Sequence, residues 1–229
     1  MSIVDLSEAY EKNSRSCVRI INYDSAKNPV GYRSGSVIAD GTKVITCHHC
    51  IEDGPIAAIS KLDDPQIAIR GKLIFSDPNL DIAILDFNSV IGTPVTFSDS
   101  RNVSIGNVAF TVGYPLGISE HTLISGHVSS RVDSLIRIDA PVNHGNSGGP
   151  LFDSEGNQIG VINSKHGSLS NFLHQVERSS PHGAKIVVAG IDSMEVIRQL
   201  IREMKHNLNL GIGYAVPTAK LAHLEHVTY

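Results

Sequence analysis

Gly145-Asn146-Ser147-Gly148-Gly149-Pro150 puts one serine in a stretch of backbone almost free of Cβ atoms. Glycine on either side opens conformations closed to other residues. That freedom lets successive N–H groups turn toward one point, as stabilising an oxyanion requires. A serine alone is a poor nucleophile, so the stretch carries chemistry only beside a base and an orienting acid. Both have candidates upstream: His49 in Thr46-Cys47-His48-His49-Cys50, and Asp81 in Asp81-Ile82-Ala83-Ile84-Leu85. A flexible glycine turn is the plain alternative. Against it, apolar segments flank the stretch on both sides, Leu135-Ile136-Arg137-Ile138 and Ile159-Gly160-Val161-Ile162, and the candidate base and acid sit at strand edges.

The order of the three residues separates two readings. Gly145-x-Ser147-x-Gly149 also fits a nucleophile elbow, which needs a helix directly after the serine and places the acid and histidine later in the chain. Here Gly148, Gly149 and Pro150 make a poor helix start, and Phe152-Asp153-Ser154-Glu155-Gly156-Asn157 reads as a strand end and turn. The best acid and histidine precede the serine, which is the chymotrypsin order.

On these residues the chain resembles trypsin-like serine peptidases, and within them the HtrA/Deg type. Asp139–Leu151 is similar to that family's nucleophile segment. Gly35–Ile38 with Val44–His49 resembles its histidine segment, and Asp81–Leu85 its aspartate segment. Gly113-Tyr114-Pro115-Leu116-Gly117, Gly126–Ser130 and Gly211–Pro217 resemble three more. The resemblance implies an all-β fold of two six-stranded antiparallel β-barrels. It also implies catalysis by His49, Asp81 and Ser147, with the N–H groups of Gly145 and Ser147 as the oxyanion hole. His48 and Asp77 or Asp86 are the rivals for base and acid. The register favours His49; Asp77-Pro78-Asn79 reads as a turn and Asp86 as a strand end. Asn146 stands where digestive trypsins carry an aspartate that pairs with a newly cut N-terminus, so activation by N-terminal processing is not expected. His144 stands where many relatives have proline. A pH-dependent element is the sharper reading of it, and an exposed loop residue the plainer one.

Composition agrees with a globular chain. Its 229 residues suffice for a sizeable core. The hydrophobic share of 41% is too high for a disordered chain. Net charge is −4 with both signs interspersed, so neither a nucleic-acid partner nor a charged tail is expected. No apolar run is long enough for a membrane helix, and Met1–Glu8 is not a secretory leader, so a cytoplasmic location is expected. Cys17, Cys47 and Cys50 are too few for a disulfide framework. Cys50 matches a cysteine that secreted relatives bridge, but the partner position near Ser34 has none, so free buried thiols are expected. Cys47-His48-His49-Cys50 packs four potential ligands together. On an extended strand neighbours alternate faces and cannot converge on one ion, so neither a metal nor a cofactor is expected.

The expected layout is a single peptidase domain. A helix over 3–14 shows Ile3, Leu6 and Tyr10 on one face. The first barrel spans 15–98, with strands Cys17–Tyr23, Ser36–Ala39, Lys43–Thr46, Ile67–Phe75 and Ile82–Phe87. A linker follows over Phe97–Asn107. The second barrel spans 105–218, with strands Val108–Val112, Leu123–Val128, Leu135–Ile138 and Gln158–Asn163. An insertion over about 167–207 departs from the family. It holds a strand over Lys185–Gly190 and a helix starting at Asp192-Ser193-Met194-Glu195, with Ile197, Leu200, Ile201 and Met204 on its apolar face. A helix packed on the second barrel is the plain reading of this insertion, and a lid or partner-binding element the sharper one. No PDZ domain is expected, and a homotrimer is left open. Pro141, Ile162, Asn163 and Ser164 are expected around the specificity pocket. With no acidic residue there, cleavage after a small or medium aliphatic residue of protein substrates is expected. The other function class is a peptide-binding scaffold that keeps the fold without turnover.

Overall fold

Apolar residues sit side by side in several strands instead of alternating with polar ones: Val37-Ile38, Val44-Ile45, Ile84-Leu85, Leu151-Phe152 and Ala215-Val216 are all buried. Neighbours on a strand point to opposite faces, so both faces of these strands must be covered. The computed structural model describes residues 4–52, 56–61, 64–163, 187–188, 191–192, 196–197, 199 and 211–227. Within them the second face is accounted for. Val37, Val44 and Leu85 join a cluster with Val18, Ile20 and Ile59. Their neighbours Ile38, Ile45 and Ile84 join a cluster with Phe110, Phe152, Val161 and Val216. On those four strands the adjacent residues Ala109, Leu151, Ile162 and Ala215 form a third cluster with Val128, Ile136 and Ile138. There are thus two sheet interiors and one apolar layer shared between the sheets.

The first sheet holds β1 (Cys17–Tyr23), β2 (Pro29–Ile38), β3 (Lys43–Thr46), β4 (Ile56–Lys61), β5 (Asp64–Arg70), β6 (Lys72–Asp77) and β7 (Ile82–Asp86), in the order β5-β4-β1-β2-β3-β7-β6. All its pairings are antiparallel, with Cys17 opposite Ser36, Ser36 opposite Ile45, and Thr46 opposite Ala83. The second sheet is a closed barrel of β8 (Val108–Gly113), β9 (Thr122–Val132), β10 (Leu135–Ile138), β11 (Pro150–Asp153), β12 (Gln158–Ile162) and β15 (Gly213–Pro217), in the order β10-β15-β12-β11-β8-β9. This is the expected all-β double-barrel fold, with seven strands in its first sheet.

Three details of the first sheet differ from expectation, the first being that β2 runs from Pro29 to Ile38 where a strand over Ser36–Ala39 was expected. The run expected as one strand over Ile67–Phe75 is two strands that break at Gly71. A Cβ there would lie 2.7 Å from the Phe87 ring, so the chain turns where it has no side chain. The strand β4 was not expected, because its alanines, Ala57 and Ala58, carry little strand signal. They are nonetheless buried and pair with Asn22 and Ile21.

The helix α1 (Ser7–Asn13) buries Ala9 and Asn13. Asn13 Nδ2 donates to Ala9 O at 3.0 Å and to Gly156 O at 2.9 Å, which ties α1 to the β11–β12 turn. Leu6 and Tyr10 pack against the shared layer, and Ile3 lies outside the described residues.

Residues Lys165–Leu210 form a separate compact unit. Its described part is a two-stranded ladder of β13 (Val187–Val188) and β14 (Ile191–Asp192), plus helical residues at 196–197 and 199. Asp192, expected as a helix cap, sits in β14 opposite Val187. Glu195, Leu200, Ile201 and Met204 lie outside the described residues.

The shared layer should dominate stability. Phe110 and Phe152 are fully buried with ring centroids 5.2 Å apart. Phe110→Ala is expected to cost about 3–5 kcal/mol in urea unfolding. Gly106 has φ +91 and nothing within 4 Å of an added Cβ, so Gly106→Ala should cost only the left-handed strain, about 1–2 kcal/mol.

Candidate active site

The histidine segment is not extended. After β3 the chain turns at Cys47 and His48 into the one-turn helix α2 (His49–Glu52), with Cys50 N donating to Cys47 O and Ile51 N to His48 O. This turn sends the two histidines apart. His48 Nδ1 meets Ser76 Oγ at 2.6 Å, and its Nε2 lies 3.2 Å from Glu52. His49 turns to Asp81.

Asp81 stands directly before β7 with φ +56, a strained value for a residue with a side chain. The approach is shaped by Asp77, whose Oδ1 accepts from Asn79 N and Leu80 N, while Asp86 caps the turn after β7 through Asn88 N. Asp81 Oδ1 accepts from His49 N at 2.8 Å. Its Oδ2 accepts from His49 Nδ1 at 2.6 Å and from Asn163 Nδ2 at 2.9 Å. The His49 and Asp81 side chains are 12% and 14% exposed. Burial alone would lower the basicity of His49, but hydrogen bonds to Asp81 and Cys50 outweigh it and push its pKa up to about 9.

The serine segment makes two successive turns. Asn146 N donates to Asn143 O at 3.1 Å, and Gly149 N to Asn146 O at 2.9 Å. Gly145 and Gly148 hold the third positions with φ +97 and +84, the sign a type II turn requires there. Close approach excludes larger residues as well. A Cβ on Gly145 would lie 2.2 Å from Tyr114 O, and one on Gly148 would lie 2.0 Å from Thr46 Oγ1. The His144 carbonyl accepts from Leu116 N at 2.7 Å. Across a planar trans peptide the Gly145 N–H points the opposite way. Leu116 itself has φ +55.

One buried serine holds this segment from the first sheet. Ser34 N donates to Ser147 O at 3.1 Å and Ser34 Oγ to Gly145 O at 2.7 Å, while Ser34 Oγ accepts from Tyr114 N at 3.0 Å. Ser34 O accepts from Thr46 Oγ1 at 2.9 Å. In sequence Ser34 was notable only as a place without a cysteine. The Asn146 amide is buried with no hydrogen-bond partner among the described residues.

The expected pocket residues are placed differently from one another. Ile162 buries its side chain in the second-barrel core, and its backbone bonds Gly148 and Gly149. Asn163 Nδ2 donates to Asp81 Oδ2. Pro141 is exposed, and Ser164 lies outside the described residues. Sequence reasoning missed Asn163 as a partner of Asp81, because nothing local in the chain relates two residues so far apart.

The thiols also differ from the extended-strand expectation. Since α2 follows at once, Cys47, His49 and Cys50 bring their ligand atoms within 4.8 Å of one another. Cys47 Sγ donates to Ile162 O at 3.1 Å. Cys50 Sγ donates to Ser147 O at 3.4 Å and lies 3.7 Å from His49 Nε2. Burial pushes the Cys47 thiol well up; for Cys50 the same burial is outweighed by hydrogen bonds with Cys47 and His49, which lower it.

Known proteins match this architecture. The family described as trypsin-like peptidase domain matches residues 33–161, more than half of the chain. Over 145 residues the chain is 38% identical to a probable periplasmic serine endoprotease DegP-like of Brucella suis biovar 1, covering 59% of this chain and 28% of that protein. It is 34% identical over 145 residues to the protein of the same name from Rickettsia prowazekii, covering 58% and 28%. The chain thus spans well under a third of the length of these relatives. The serine endoprotease of Yersinia pestis shares the fold at TM-score 0.68 and 20% identity, covering 97% of this chain and 65% of that one. The HtrA-type protease AlgW shares it at TM-score 0.66 and 22% identity, covering 95% and 61%. The relatives' names place them in the periplasm, which overturns the expected cytoplasmic location. That expectation rested on seeing neither a secretory leader nor a membrane-spanning run, and neither fixes a compartment. By the match over 33–161, the chain belongs to the trypsin-like peptidase family.

Proposed function

We propose that this chain is a serine endopeptidase of the HtrA type, with Ser147 as nucleophile, His49 as base and Asp81 as orienting acid. The observation that carries the proposal is the grip of Asp81 on His49, through both the backbone N–H and Nδ1. It leaves Nε2 as the nitrogen able to take a proton. In the proposed reaction Ser147 Oγ attacks the scissile carbonyl while His49 Nε2 accepts its proton, then delivers it to the leaving amine. Asp81 holds the tautomer and stabilises the imidazolium. Asn163 keeps the carboxylate in place through its bond to Oδ2. The N–H groups of Gly145 and Ser147 are the proposed oxyanion donors. The Leu116–His144 bond supports this for Gly145, because it fixes the peptide whose N–H faces the other way.

The substrates proposed are protein chains cut after small or medium aliphatic residues, since neither buried Ala140 nor exposed Pro141 offers an acidic partner to a basic side chain. The names of the relatives support an endoprotease working on proteins in the periplasm.

Labelling by a fluorophosphonate probe tests the assembled nucleophile. The intact chain should label, and Ser147→Ala and His49→Ala should not. Absence of labelling in the intact chain would favour a peptide-binding scaffold instead.

The orienting roles separate in steady-state kinetics. Asp81→Asn should lower kcat by about 10⁴. Asn163→Ala should lower it by about tenfold or more, the rate equivalent of one hydrogen bond to a charged group worth about 1.5–3 kcal/mol. KM should hardly move in either variant; a loss confined to KM would place Asn163 in substrate binding.

The pH profile, recorded with a chelator present, reads the base directly. Only neutral His49 accepts the serine proton, and its pKa is pushed up to about 9. The kcat/KM should therefore rise with pH, with its midpoint above the ordinary histidine value of about 6.5. Cys50→Ser should move the midpoint down, because Cys50 helps hold the proton on His49.

A further inference from the structure

We infer that Cys47, His49 and Cys50 form a binding site for one borderline-soft divalent cation, and the donor set selects Zn²⁺. Two sulfurs and one imidazole nitrogen lie within 4.8 Å of one another on a single turn of chain, with Cys50 Sγ 3.7 Å from His49 Nε2. Zinc takes thiolate sulfur at about 2.3 Å and imidazole nitrogen at about 2.0–2.1 Å. In a tetrahedron those bond lengths put neighbouring donors about 3.5–3.8 Å apart. The sulfur–nitrogen pair already has that spacing, and the remaining donor lies within 4.8 Å of both.

The histidine is also held as zinc-bound histidines are. A metal-bound imidazole typically donates its other ring N–H to a carboxylate, which fixes the tautomer and raises its basicity. Here Asp81 Oδ2 takes Nδ1 at 2.6 Å and Asn163 steadies the same oxygen, so Nε2 is the nitrogen left on the sulfur side. Three protein donors fill three of the four positions of a tetrahedral zinc site. Binding displaces to solvent the protons held on the two sulfurs and on His49 Nε2. It gives up the weak bonds of the thiols to the Ile162 and Ser147 carbonyls. Cys17, the third thiol, is buried but outside the cluster and plays no part.

The consequence is inhibition. The Nε2 lone pair that holds the cation is the one proposed to take the serine proton, so an occupied site has no base. This half of the inference rests on the peptidase reading; the binding half does not.

The test separates them. Protein carrying Ser147→Ala, with thiols reduced and metal stripped, is titrated with Co²⁺ and read by sulfur-to-cobalt charge-transfer absorption, then back-titrated with Zn²⁺. One equivalent per chain is expected, with the band kept in Cys17→Ser. In Cys47→Ser and Cys50→Ser the affinity should fall by about tenfold or more, and in Asp81→Asn by about 10–100-fold. Circular dichroism checks that each variant folds. If a cysteine variant does not fold, His49→Gln removes the nitrogen donor and must weaken binding instead. In the chain with Ser147 intact, turnover should fall with Zn²⁺ over the same concentration range and return with chelator. Absence of the band, or affinity unchanged by the cysteine substitutions, overturns the site. Tight binding with undiminished turnover overturns His49 as a ligand. A chain without peptidase activity still gives the cobalt titration, so failure of the peptidase reading is told apart from failure of the site.

Discussion

One buried residue, Ser34, joins the two sheets at the point where the serine segment needs support. Its N–H holds the Ser147 carbonyl, its hydroxyl bridges Gly145 O and Tyr114 N, and its carbonyl takes the Thr46 hydroxyl. The hydroxyl donates one bond and accepts one, so neither neighbour is left unpaired in a site closed to water. An unmet buried donor or acceptor costs about 1–3 kcal/mol, so the loss of this single oxygen would be felt on both sides. The glycines follow from this arrangement. Gly148 must pass so close to Thr46 and to Ser34 O that no Cβ fits, and Gly145 must pass equally close to Tyr114 O. The glycine-rich sequence is therefore a statement about distance to the first sheet as much as about backbone freedom.

Asp81 is the second fixed point, and it is held against a cost. Its left-handed backbone is unfavourable for a residue with a Cβ, by roughly 1–2 kcal/mol. Among the described residues, hydrogen bonds from His49 N, His49 Nδ1 and Asn163 Nδ2 converge on its carboxylate. Such bonds to a charged acceptor are worth about 1.5–3 kcal/mol each, enough to over-determine the conformation. Strain of this kind fixes the direction of the carboxylate, and through it the plane of the imidazole.

The sequence showed most clearly what local chemistry dictates. The Gly145–Pro150 stretch, His49, Asp81 and four of the second barrel's six strands are written in short patterns of type and spacing. The strands buried on both faces were legible as continuous apolar runs such as Ile82–Leu85. What was not legible came from tertiary placement. β4 carries weak strand formers that only pairing with β1 explains. The bond of Asn163 to Asp81 exists only because the fold brings two distant residues together. The break at Gly71 is set by the Phe87 ring above it. Cys47–Cys50 was read with the period of a strand, and the immediate onset of α2 replaced that period with a turn that gathers side chains instead of dispersing them.

That turn gives the site a second property. In relatives with a bridge at the Cys50 position, a covalent bond would occupy the sulfur behind the histidine. Here Ser34 and Cys50 both hold the Ser147 carbonyl by hydrogen bonds, at 3.1 and 3.4 Å, and the sulfur keeps its lone pairs. A thiol that is not bridged can still take up a cation, and beside it His49 has one nitrogen already bound to Asp81 and one facing Cys50. A single lone pair accepts either a proton or a metal ion. The features that raise the basicity of His49, hydrogen bonds to a carboxylate and to a sulfur, are the same ones that suit it to a soft cation. Basicity and susceptibility to metal therefore rise together at this position, and a substitution that weakens one through Asp81 must weaken the other.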